Sequence, residues 1–140
     1  MYKFRMSIGD WSDDGHGKHD DFIISSNKPV EDVREAHFKI KAVTGIDIEN
    51  ICSEYEETLI SDINVEELNK LGFRFHEDTY DDGTIDMYSS EMARLWVFLL
   101  EKADPELQLM FIDDDIPDLH FYGFDNKRRH IGQVGYGLFD

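Results

Sequence analysis

One cysteine, three prolines, no apolar run longer than six residues and only 14 lysines and arginines mark what this 140-residue chain lacks. Cys52 has no second thiol in the chain, so the disulfide framework of a small secreted fold is excluded and only an intermolecular bridge is open to it. The longest apolar run, residues 95–100, is far short of the ~20 residues that cross a bilayer as a helix. The opening residues alternate charged and apolar side chains and so lack the continuous apolar stretch of a signal peptide. These features make a cytoplasmic location the expectation.

The scarcity of positive charge is the sharpest of these deficits. Thirty-one acidic residues stand against 14 basic ones, a net charge of −17, where a small soluble domain carries a magnitude of about 2–8. Such a chain repels phosphate, which excludes direct binding to nucleic acid and to anionic membranes, since both depend on lysine and arginine. There is no GxSxG elbow, no phosphate-binding P-loop and no dinucleotide fingerprint, so those enzyme classes have no support.

What is present suffices for a packed interior. Hydrophobic residues make up 41% and aromatics 13% of the chain. A single domain over residues 1–140 is expected, burying about two-thirds of the surface its unfolded form exposes. Tyr2, Phe4, Met6 and Ile8 alternate with Lys3, Arg5 and Ser7, the period of a half-buried strand. Residues 21–26 form a second expected strand, paired with the first across a loop longer than the usual ~2–5 residues of a hairpin. Pro29 in a first turn, with Asn27 or Lys28 near the cap, opens a helix carrying Val33, Ala36, His37, Ile40 and Val43 on one face and stopped by Gly45.

Residues 46–57 mix strand and helix periods. A short helix is expected over 64–71, capped by Asn64 and ended by Gly72, followed by a short strand over 73–75. Ser89, Ser90 and Glu91 open the strongest helix, with Met92, Leu95, Trp96, Leu99, Leu100 and Ala103 at i, i+3, i+4 spacing. Val97 and Phe98 fall off that stripe, which predicts a helix covered on more than one side. Residues 107–112 place apolar side chains on both faces and read as a central strand; 119–124 and 131–139 are further strands. Strands and helices are segregated along the chain. The expected fold is therefore α+β, a mainly antiparallel sheet built from the N-terminal hairpin and three C-terminal strands and packed by two or three helices.

Residues 9–21 are the most unusual segment, with two of the six histidines and five carboxylates. Imidazole and carboxylate together suit zinc or another divalent metal, and Gly15 and Gly17 let the chain bend, so His16, His19, Asp14 and Asp20 form a candidate metal-ligand set. The spacing matches neither HExxH nor an EF-hand, and a solvated acidic loop accounts for the same composition. Residues 113–115, three aspartates at a strand end, could extend that set, although Asp-rich turn chemistry before Pro117 explains them without any metal and is the favoured reading. This opening, with the terminal Gly135-Tyr136-Gly137-Leu138-Phe139, resembles a family of small uncharacterised bacterial or phage proteins of unknown function. The resemblance covers the two ends of the chain, implies no activity and carries no residue roles.

Cys52 is a poor nucleophile on its surroundings. Each nearby carboxylate, among them Glu49 and Glu54, disfavours a thiolate by about 0.7 kcal/mol at ~6 Å in water, or about half a pKa unit. The one basic cluster, Lys127-Arg128-Arg129-His130, reads as a charged hairpin loop, and His37 and His120 as core or edge residues.

Charge distribution says more than any motif. Between Asp47 and Glu91 the chain has fourteen acids against Lys70 and Arg74, a local net of −12. A concentrated negative field steers basic partners and raises their on-rate. The leading expectation is a non-enzymatic interaction protein that uses Glu54, Glu56, Glu57, Asp81 and Asp82 to occupy a basic protein surface, as a nucleic-acid mimic or inhibitor, with no cofactor. The alternative is a metal-binding module or metal-dependent hydrolase built on His16 and His19, with the metal activating water. A third reading is a homo-oligomer joined through Trp96, Val97 and Phe98.

Overall fold

A computed structural model describes residues 2–9, 19–48, 51, 59–86, 89–112 and 120–124. The alternating N-terminal sequence forms β1 (Tyr2–Gly9), which pairs antiparallel with β2 (His19–Ser26), Phe4 opposite Ile24 and Met6 opposite Phe22. Residues opposite one another in an antiparallel ladder share a face. That face supplies Phe4, Met6 and Ile24 to the core, all essentially without solvent contact.

The next segment is α1 (Val30–Thr44), with Pro29 as its N-cap rather than in its first turn. Pro29 is extended, and its carbonyl accepts the first helical bonds from Asp32 and Val33. Val30, Val33, Ala36, His37 and Ile40 are buried. Val43, expected on the same face, is exposed instead, and Gly45 in the left-handed conformation closes the helix.

Two short strands, β3 (Leu59–Ile60) and β4 (Ile85–Asp86), pair antiparallel and enclose α2 (Asp62–Leu71) between them. The cap of α2 is Ser61, whose Oγ accepts a hydrogen bond from the Asn64 amide, so the helix starts two residues earlier than expected. Its end is a Schellman motif: Phe73 N–H bonds to the Leu68 carbonyl and Gly72 N–H to that of Asn69. Residues 73–75, expected as a strand, form none; Phe73 is instead a buried anchor packed edge-on to Phe75 at 4.9 Å.

The next helix, α3 (Ser89–Ala103), packs on α1, β1 and β2 and is central among the described elements. Met92, Ala93, Leu95, Trp96, Val97, Leu99 and Leu100 are all buried, which bears out the expectation of cover on more than one side. Trp96 stacks on His37 with ring centroids 5.2 Å apart and planes 16° from parallel. Because Trp96 and Val97 are consumed inside the chain, they are not free to join two copies.

After α3 come β5 (Leu109–Ile112) and β6 (His120–Phe124), which flank the hairpin in the order β5-β2-β1-β6. β5 is antiparallel to β2 and β6 is parallel to β1, with one extra residue, Gly123, shifting the register against Ser7 and Ile8. The sheet is thus mainly antiparallel and, with three helices among the described residues, the fold is α+β. The strand over 107–112, expected in the centre, is the outermost on its side among the described residues, and Met110 and Phe111 are 61% and 40% exposed. The third expected C-terminal strand, 131–139, lies outside the described residues. At the other end of β5, the Asn27 side chain continues the ladder: its Oδ1 accepts from Gln108 N–H at 2.8 Å and its Nδ2 donates to the Glu106 carbonyl at 2.9 Å. Among the described residues no helix is long and apolar enough to cross a membrane.

Candidate functional site

Beyond Gly72 the chain turns from α2 and returns to β4 through an acidic arm. Glu77, Asp78, Asp81 and Asp82 are exposed on it, and Asp62 and Glu66 are exposed on α2. The arm is shaped by short-range bonds. Asp82 accepts from both the Thr84 hydroxyl at 2.6 Å and the Thr84 amide at 3.0 Å, while Tyr80 N–H donates to the Thr84 carbonyl and the Tyr80 hydroxyl to the Asp86 carboxylate. The Thr84 hydroxyl, then its amide, hold the Asp82 carboxyl below its ordinary value, so it is charged at neutral pH.

Gly83 sets the arm against α2. At φ +86 it occupies a conformation other residues resist, and a Cβ placed there would lie 2.9 Å from Asp62 Cβ. This contact brings the turn holding Asp81 and Asp82 beside Asp62. Gly83→Ala is expected to cost about 1–3 kcal/mol, read as a lower urea midpoint with unchanged slope.

The other end of the arm is fastened to α3. Glu91, 7% exposed, has Oε1 accepting from the His76 amide at 3.1 Å and from Arg94 Nη2, and Oε2 accepting from Arg94 Nε at 3.3 Å. His76 Nδ1 lies 3.2 Å from Oε2, with the imidazole itself 70% exposed. Arg94 also donates to the Arg74 carbonyl and lies over the Phe73 ring at 4.4 Å. Burial raises the Glu91 pKa, but the hydrogen bond from Arg94, the His76 amide and the Arg94 and His76 charges outweigh it, leaving the carboxyl below its ordinary value. A buried carboxylate orienting an exposed imidazole is also how a general base is held. Among the described residues, however, no hydroxyl or thiol is hydrogen-bonded to His76, and the backbone bonds to Glu91 make the cluster a clasp.

A second ion pair joins the start of α1 to the end of α3. Lys28 Nζ is 2.8 Å from Asp104 Oδ2 and 3.5 Å from Glu106, and the hydrogen bond raises the Lys28 pKa and lowers that of Asp104. It borders a polar cleft of about 260 Å³ that Asp32, Glu35 and Lys39 also line. The mixed charges there neutralise one another rather than converge on one ligand group.

Of the residues singled out from the sequence, Asp81 and Asp82 are together on the arm. Glu54, Glu56 and Glu57 lie outside the described residues, as do Asp14, His16, Cys52, the aspartates 113–115 and the basic cluster 127–130. His19 and Asp20 open β2 opposite Gly9 and Ile8. Among the described residues no three histidine, cysteine or acidic side chains converge as a metal site. His37 is a core residue, as expected. The clasp residues Glu91 and Arg94 escape a reading of the sequence as a site. Their i, i+3 spacing is a visible signal for the pair, but nothing local links them to His76, fifteen residues before Glu91.

No protein-family model, curated protein or solved structure matches the chain.

Proposed function

We propose that the protein is a non-enzymatic interaction protein whose acidic surface occupies a basic surface of a partner protein, of the kind that otherwise holds nucleic-acid phosphates. One observation carries the reading. Over residues 59–86 eight acids face two bases, and both bases are engaged within the chain: Lys70 bonds Glu67, and Arg74 bonds the carbonyls of Asn69 and Phe73. Among the described residues no ion pair neutralises Asp62, Glu66, Glu77, Asp78 or Asp81. Asp81 and Asp82 are exposed in the turn that the Gly83 amide closes on the Tyr80 carbonyl, and Glu54, Glu56 and Glu57 precede this segment in sequence.

Unpaired carboxylates in water keep their hydration until a cation replaces it, so they favour steering and selection of a partner more than raw affinity. Screening then makes the interaction fade with salt. A fluorescent lysine-rich peptide read by anisotropy tests this. Affinity should fall by about tenfold or more between low and physiological ionic strength. Absence of binding at low salt, or binding indifferent to salt, would contradict the proposal.

A further inference from the structure

The acidic arm is held at two places of different kinds. At its far end, β4 pairs with β3 and Gly83 abuts Asp62, so that end belongs to the α2 unit. At its near end the chain over 73–76 rests on α3 through Phe73, which packs on Phe98 at 5.3 Å, and through polar bonds that converge on Glu91 and Arg94. The His76 amide bonds to Glu91, and Arg94, which fixes the Arg74 carbonyl, is itself held by both Glu91 oxygens. One buried carboxylate therefore organises the polar bonds between the arm's near end and the central helix.

We propose that Glu91 is a positioning residue, a latch that holds the near end of the arm on α3 and so presents Asp78, Asp81 and Asp82 in one arrangement to a cationic partner. The latch rests on the geometry of Glu91, His76 and Arg94; its consequence for binding rests on the function proposed above. An apolar anchor alone would hold Phe73 but leave the direction of the chain beyond it unset. The carboxylate supplies that direction, because it takes the amide of the last residue before the exposed acids. A buried acceptor with three charged or backbone donors is rigid where a surface ion pair is not.

Amide hydrogen exchange on the full chain tests the latch directly, and binding of the lysine-rich peptide tests its consequence. In Glu91→Ala, exchange at His76 and Tyr80 should rise by about tenfold or more and lose its dependence on urea, the mark of local opening, while the amides of α1 and of the β1–β2 ladder rise only with the global loss of stability and keep that dependence. Should Glu91→Ala not fold, Glu91→Gln, which keeps the shape and one acceptor, is read at His76 and Tyr80 in the same way. Peptide affinity should fall by about threefold or more, and more than in Glu31→Ala, which removes the same charge from an exposed position on α1. Exchange unchanged over 76–80, or raised there only in step with α1 and the sheet and with the same urea dependence, overturns the latch. Local loosening with peptide affinity unchanged overturns the positioning role. If the wild-type protein does not bind the peptide at all, the proposed function fails, while the exchange pattern still decides the latch.

Discussion

Trp96→Ala should remove about 3–5 kcal/mol of stability, the largest loss expected from any single substitution in this chain. The indole has no solvent contact, sits on the described element that supplies the most buried hydrophobic residues and stacks face to face on His37 of α1. Its removal deletes a large apolar area and leaves a space lined by two helices whose packing closes the interior. Small domains hold only about 5–15 kcal/mol in total, so the variant should be near the edge of folding at ordinary temperature. Trp96→Phe fills most of the volume and should lose much less. Urea unfolding followed by circular dichroism separates the two, and a loss below about 1 kcal/mol for Trp96→Ala would mean that the α1–α3 contact contributes little.

Glu91→Ala should come second, at about 2–4 kcal/mol at neutral pH. Deleting one partner of a buried pair leaves the other without its counter-charge and strands the His76 amide, although Arg94 is a third exposed and water repays part of that cost. The effect has a defined pH signature. Glu91 has a folded pKa below its ordinary 4.5, so its contribution is present above that value and is lost as pH falls through the depressed folded pKa. The stability gap between wild type and Glu91→Ala should therefore narrow steadily as the pH falls below about 5. A gap that persists unchanged in acid would mean that Glu91 contributes through packing rather than through its charge.

The legible and illegible parts of this fold divide along physical lines. The period-two strand β1, with Phe4 and Met6 buried, and the helical stripes of α3 and, Val43 aside, of α1 appear as read, because each rests on side-chain spacing that burial enforces. The start of α2 is displaced because Ser61 and Asn64 are both good caps; the structure uses the serine as cap and the Asn64 amide as its donor. The strands β3 and β4, two residues each, are too short to show any period. The position of β5 differs from expectation for another reason. Apolar side chains on both faces fit a central strand, but they equally fit an outer segment that buries Leu107, half-buries Leu109 and leaves Met110 and Phe111 in solvent. The acidic arm is readable as a charge excess, since charge needs no fold to be counted. The clasp that holds it depends on a contact between His76 and Glu91 that only the folded chain creates.

The proposed binding depends on where the negative charge sits, and not merely on how much there is. A charge-matched comparison tests this most directly: Asp81→Asn with Asp82→Asn on the arm, against Glu31→Gln with Glu35→Gln on α1, each measured for binding of the lysine-rich peptide at low salt. Both pairs remove the same net charge, and the amide oxygen introduced by Asp82→Asn can still accept the Thr84 bonds. The arm pair should weaken binding by about threefold or more while the α1 pair changes it by less than about half as much. Equal losses in the two pairs would show that total charge alone attracts the cation and would contradict the acidic arm as the binding surface.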